Sequence, residues 1–218
     1  IMYLLLLIFF IIFLLIRFRH TKIKWKTFLH KGFSPKRGKF GVYCYCGKQG
    51  DGKTYSVVEF LSNNTDMPIY ANIETLDKSQ IPYTYFNGFD NLLKLRNEHD
   101  CIIVYDEIFT ALTKSSKLNT DVLDFLSQMR KRRITFLTTA QEWLEINITL
   151  RRYCRYQIEC KILNIFGLGL LVKHCYNAEQ MKWSQQDNEY IAPLEETTIS
   201  KCNIKTANLY DTFEQIKS

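Results

Sequence analysis

"GVYCYCGKQGDGKTYS", residues 41–56, decides the fold. An apolar-aromatic run over 40–46 stops at a glycine-rich turn. The turn, Gly47-Lys48-Gln49-Gly50-Asp51-Gly52-Lys53-Thr54, matches G-x-x-x-x-G-K-[ST]. Glycines at these positions let the backbone curl until successive N–H groups converge on an anion. The helix that follows adds the positive end of its dipole. The pattern therefore predicts a strand over 40–46, a phosphate-binding loop, and a helix over 54–63. Lys53 is placed to reach the β- and γ-phosphates, and the Thr54 hydroxyl to bind Mg²⁺. Gly47, Gly50, Asp51, Gly52, Lys53, Thr54 and Tyr55 form the candidate nucleotide-binding set, with ATP and Mg²⁺ as the expected ligands.

A phosphate loop needs a second carboxylate for the metal, at the end of a neighbouring strand. The run CIIVYDE, residues 101–107, reads as a central parallel strand covered on both faces and ends in Asp106-Glu107. Asp106 is the candidate metal-side acid together with Thr54, and Glu107 is placed to polarise an attacking water. That pairing belongs to nucleotide-hydrolysing motors rather than to small-molecule kinases. Further strands are expected at 67–73 and 134–141, and helices at 89–98 and 119–133. Strand 134–141 ends in Gln141, whose side chain at the carboxyl edge would face the γ-phosphate. Arg130, Arg132 and Arg133 crowd the end of the helix before it. They read either as a solvated basic face or as a source of an arginine finger, with Arg130 the candidate.

Working back toward the amino end, residues 1–16 (IMYLLLLIFFIIFLLI) carry no charge and no helix breaker. The run spans roughly 24 Å as a helix, and it reads as a transmembrane segment over 1–18. Residues 17–39 then hold nine of the 29 Lys/Arg and none of the 22 acids. Residues 40–218 therefore carry 20 basic against 22 acidic side chains, so the net charge of +7 is no nucleic-acid signature. A basic cluster directly after an apolar run predicts a single pass with the main domain cytoplasmic. Seven cysteines, an odd number with no CxxC pair, suit reduced, buried thiols.

Alternating strand-like and helix-like segments predict an α/β fold, with a mainly parallel central sheet flanked by helices. The expected organisation is a transmembrane helix over 1–18 and a basic linker over 19–39. A P-loop ATPase core follows over 40–163, completed by strands and a tail over 164–218. Within the last part, 160–176 reads as a hairpin turning at 166–169.

The order of parts resembles the FtsK/HerA group of P-loop motors, and most of all the zonula occludens toxin (Zot)-like assembly ATPases of filamentous phages. The residues that carry the resemblance are GKQGDGKT, IIVYDE and RKRRITFLTTAQ, with weaker support from LRRYCRYQIEC and NLYDTFEQI. It implies ATP hydrolysis by a membrane-associated homo-oligomeric ring acting on phage DNA or on coat and assembly proteins. By matching position, Lys53, Thr54, Asp106, Glu107 and Gln141 take the family's roles, with Arg130 as finger. The phage proteins place their span after the ATPase domain, whereas here the apolar run comes first. Two other readings stay open: a conjugative coupling or double-stranded-DNA packaging ATPase, and a membrane-tethered P-loop switch or kinase.

Overall fold

The computed structural model describes residues 2–17, 21–23, 40–113, 115, 118, 120–165 and 168–211. Its chain order begins with helix α1 (Met2–Arg17) and strands β1 (Thr21–Ile23) and β2 (Gly41–Cys46). Next come α2 (Lys53–Ser62), β3 (Ile69–Ala71), β4 (Thr84–Tyr85), α3 (Phe89–Lys94) and β5 (Ile102–Tyr105). Helix α4 (Thr120–Gln128), β6 (Thr135–Ala140) and α5 (Ile148–Tyr153) follow. Strands β7 (Cys154–Ile165), β8 (Leu168–Asn177), β9 (Lys182–Ser184), β10 (Glu189–Ile191) and β11 (Leu194–Lys201) precede the short α6 (Ile204–Ala207).

Nine strands form one sheet in the order β1-β11-β8-β7-β2-β6-β5-β3-β4. From β7 to β4 every neighbouring pair is parallel. Strands β7, β8 and β11 pair antiparallel, and β1 joins β11 in parallel. The sheet is thus mixed and mainly parallel, as expected. The hairpin expected over 160–176 is present, with Ile165 opposite Leu168. Turn residues 166 and 167, residue 119, the tail beyond 211 and most of the 19–39 linker lie outside the described residues.

β2, β5 and β6 read as unbroken apolar runs because both of their faces are covered. One face packs Val57, Val58, Phe60 and Leu61 of α2 against Tyr43, Tyr45, Val104, Leu137 and Ile158. The other packs Val122, Phe125 and Leu126 of α4 and Leu150 of α5 against Val42, Cys44, Ile103 and Phe136. Phe125 meets Phe136 edge-on at 5.8 Å. All seven cysteines are free thiols, buried except the half-buried Cys202.

Two expectations change. Helix α1 has 16 residues, all apolar before Arg17, with its described side chains mostly exposed. At 1.5 Å per residue it spans roughly 24 Å, short of a ~30 Å bilayer core. Among the described residues no helix is long and apolar enough to cross a membrane, so the transmembrane helix expected over 1–18 is not found. The helix expected over 119–133 stops at Gln128. The chain leaves it through Arg133 in the left-handed region (φ 55°), and Ile134 N–H reaches back to the Met129 carbonyl at 2.8 Å.

Candidate active site

The phosphate loop joins the carboxyl end of β2 to the amino end of α2. Two of its glycines are needed for space as well as for turning. Gly47 has φ 152°, and a Cβ there would sit 2.7 Å from the Cys160 carbonyl oxygen of β7. Gly52 caps α2 at φ 82°, where a Cβ would press on Leu171 and Ile162 at 3.0–3.1 Å. The loop is braced across its own width. Lys48 N–H donates to Asp51 Oδ2 at 2.9 Å, and Lys53 Nζ donates to the Lys48 carbonyl at 3.1 Å. Gly47 N–H donates to the Gln141 carbonyl at 3.2 Å, so the end of β6 sits directly beside the loop.

Strand order explains the convergence. β6 lies between β2 and β5, so three carboxyl ends meet in one row: the loop, Gln141, and Asp106-Glu107. The Thr54 hydroxyl donates to the Asp106 carboxylate at 3.2 Å (Oδ2), which links the loop helix to the acid on β5. A hydroxyl and a carboxylate oxygen at that separation are hard oxygen donors, the set that suits Mg²⁺. Lys53 is itself buried, at 6% exposure, so its ammonium is committed to the loop rather than to solvent.

Two residues missed by the sequence reading organise the acids. The Thr139 hydroxyl donates to Asp106 Oδ1 at 2.5 Å and accepts from the Glu107 N–H at 2.8 Å. Asn72 brackets the same residue, accepting from Asp106 N–H at 2.7 Å and donating to its carbonyl at 3.2 Å. Their signal was present in the sequence: a threonine inside the apolar run of β6, and an asparagine just past β3. Glu107 sits in the left-handed region at φ 58°, an uncommon conformation for a residue with a side chain. Its pKa is pushed up by burial first and by the Asp106 charge second, with Lys53 pulling the other way.

Not every candidate joins the site. The Tyr55 side chain is buried, and its hydroxyl accepts from Asn203 N–H at 2.7 Å, away from the loop. Arg130 lies at the opposite edge of the sheet. Its Nε stands 3.7 Å from the Cβ direction of Gly41, the first residue of β2, and its guanidinium is ion-paired with Glu179. The physical reason is direction. A helix returning between parallel strands runs from the carboxyl edge to the amino edge, so its end faces away from the phosphate loop of its own chain.

No protein-family model matches the sequence, and no curated protein does. Among solved structures, the N-terminal domain of zonular occludens toxin from Neisseria meningitidis is similar at TM-score 0.55 and 18% identity. That match covers 79% of this chain and 100% of the domain. The genome packaging NTPase B204 of Sulfolobus turreted icosahedral virus 2 matches at TM-score 0.48 and 9% identity, over 70% of this chain and 96% of that one. The flagellar accessory protein FlaH of Methanocaldococcus jannaschii matches at 0.47 and 12%, over 75% and 89%. The first likeness establishes the fold: a Zot-like P-loop NTPase fold.

Proposed function

We propose that this chain, having that fold, is an ATP-hydrolysing motor held at a membrane and acting as a homo-oligomeric ring in phage assembly, export or DNA translocation. One observation carries the hydrolytic reading: the Thr54 hydroxyl lies 3.2 Å from the Asp106 carboxylate, with Glu107 next in sequence and both acids braced by Thr139. Loop N–H groups and Lys53 would hold the phosphates, and Thr54 with Asp106 would hold Mg²⁺. The metal would neutralise charge on the phosphoryl oxygens. Glu107 orients a water and takes its proton, and Gln141 faces the phosphoryl group leaving the nucleotide. The apolar α1, followed by the basic stretch from 17 to 39, supports membrane attachment with the ATPase domain on the cytoplasmic side.

The test is nucleotide binding and turnover by the full chain. Lys53→Ala should lose binding. Glu107→Gln should bind ATP yet turn over at least ~10²-fold more slowly, in line with loss of a general base. A Glu107→Gln variant as active as wild type would refute the assignment. Turnover per subunit that rises with protein concentration is the result expected of a ring.

A further inference from the structure

A cleft of about 740 Å³ opens directly beside the phosphate loop. Gly47 and Lys48 form its near wall, and Glu159, His174, Tyr176 and Tyr190 line it further on. Its floor is the face of β7 and β8 opposite α2. Register fixes the relation to the loop: Glu159 of β7 pairs with Cys46, the residue before Gly47. Neighbouring strands stand ~4.8 Å apart, so this carboxylate belongs one strand away from the root of the loop.

The two sides of the loop differ in chemistry. On the β5 side lie Asp106 and Glu107, which suit the terminal phosphate and its metal. On the β7 side, the carboxylate of Glu159 is held by two donors, Gln157 Nε2 at 3.1 Å and Tyr176 hydroxyl at 3.1 Å. Burial, reinforced by the Glu159 charge, pushes the Tyr176 phenol up to about 12, so it remains a donor at neutral pH. An ionised carboxylate is an acceptor with about four lone-pair positions, and two donors leave part of that capacity for a ligand. It repels phosphate and favours hydroxyl donors. Because β7 flanks β2 on the side away from β6 and β5, a nucleotide whose terminal phosphate faces Asp106 and Glu107 would extend its sugar toward β7.

Resting on the phosphate-loop reading above, we infer that this cleft takes the nucleoside end of the bound nucleotide and that Glu159 accepts hydrogen bonds from its ribose hydroxyls. The ligand class is therefore a ribonucleoside triphosphate, and Glu159 sets the preference over the 2′-deoxy form. Tyr176 and Gln157 are positioning residues that hold the carboxylate in place.

The experiment compares dissociation constants of ATP and dATP, each with Mg²⁺, on the full chain. Hydrogen bonds to a charged group predict that wild type binds ATP about 10–100-fold more tightly than dATP. Glu159→Gln should bring the two nucleotides to within about threefold, because it weakens ATP more than dATP, which keeps only the 3′-hydroxyl. Tyr176→Phe, which keeps the carboxylate but removes a brace, should give an intermediate ratio. Equal binding of ATP and dATP by wild type would overturn the inference, as would an undiminished preference in Glu159→Gln. Failure of wild type to bind either nucleotide is a different result, because it refutes the phosphate-loop reading itself.

Discussion

The sheet has two halves that solve burial differently. From β2 through β3 the strands are short, parallel and covered on both faces, and every residue of β2, β5 and β6 is buried. Strands β7, β8 and β11 are longer and pair antiparallel, and β11 alternates between buried and less buried positions in its second half. One face of this second half packs on α2, and the other forms the wall of the cleft. The parallel half places the candidate catalytic groups by letting strand ends converge. The antiparallel half places groups along a strand face, where alternate residues share one environment.

The halves are joined through the phosphate-loop helix. Lys173 of β8, with no exposure, pairs with Glu59 of α2 at 3.1 Å. Ser56 of α2 sits 3.6 Å from the Cys160 thiol, and Tyr55 holds the backbone of Asn203. The seam sets a buried ion pair inside an otherwise apolar interface. A buried pair is a weak source of net stability, but removing one partner is strongly destabilising. Glu59→Ala should therefore cost about 3–5 kcal/mol. For a domain of this size that lowers the melting temperature by roughly 6–20 °C. The double change Glu59→Met with Lys173→Leu should recover most of the loss, and calorimetry of the two variants makes the comparison. If Glu59→Ala melts within a degree or two of wild type, the seam does not hold the halves together.

The next effect tests the parallel half. Thr139→Val keeps shape but removes the hydroxyl that joins Asp106 to Glu107, leaving the Glu107 N–H without that partner. Turnover should fall about 10–100-fold, the range of one to two lost hydrogen bonds to a charged network. Nucleotide affinity should hold, because the loop itself is untouched. A parallel loss of affinity would mean that Thr139 acts through the loop.

The same division explains what was legible in the sequence. The parallel half announced itself because a buried strand must be apolar along its length, so GVYCYC, IIVY and TFLTTA stand out, and a phosphate loop needs glycines at fixed spacing. The positions of Glu107 and Gln141, just past the ends of β5 and β6, followed from the same runs. Arg130 did not, because spacing along the chain says nothing about which edge of the sheet a helix end reaches. Tyr55 adjoins the motif, but its hydroxyl bonds the backbone of Asn203, just past the end of β11. The antiparallel half left a weaker trace. β11 reads LEETTISK, and its buried Thr197, Thr198 and Ser200 give no apolar rhythm. The strand shows its role only once β8 lies beside it.

A smaller effect sits at the far end of the seam. Tyr55→Phe removes the acceptor for Asn203 N–H and nothing else of the ring, so about 1 kcal/mol is expected, or roughly 2–4 °C. ATP turnover should be unchanged, since the side chain points away from the loop. A kinetic defect without a melting shift would restore Tyr55 to the nucleotide site.

The smallest effect is the one whose sign matters most. Glu107 is held in an uncommon backbone conformation beside Asp106, and burial raises its pKa above the ordinary carboxyl value. A raised folded-state pKa means that the fold prefers the protonated form. Stability from this group is fully present below its unfolded pKa and is lost as pH rises through the folded one. The charged form of Glu107 is therefore a net cost to the fold, borne beside the phosphate loop. Glu107→Gln removes the charge while keeping the shape, so it should melt slightly higher than wild type at pH 7. The difference should shrink as pH falls below the ordinary carboxyl range, where wild type is protonated too. Melting curves of the two proteins across that window measure it, and the same samples report turnover. A variant that is slower and more stable at pH 7, with the stability gain lost in acid, identifies Glu107 as a group placed for chemistry. A variant less stable than wild type at pH 7 would make Glu107 a structural partner in the parallel half.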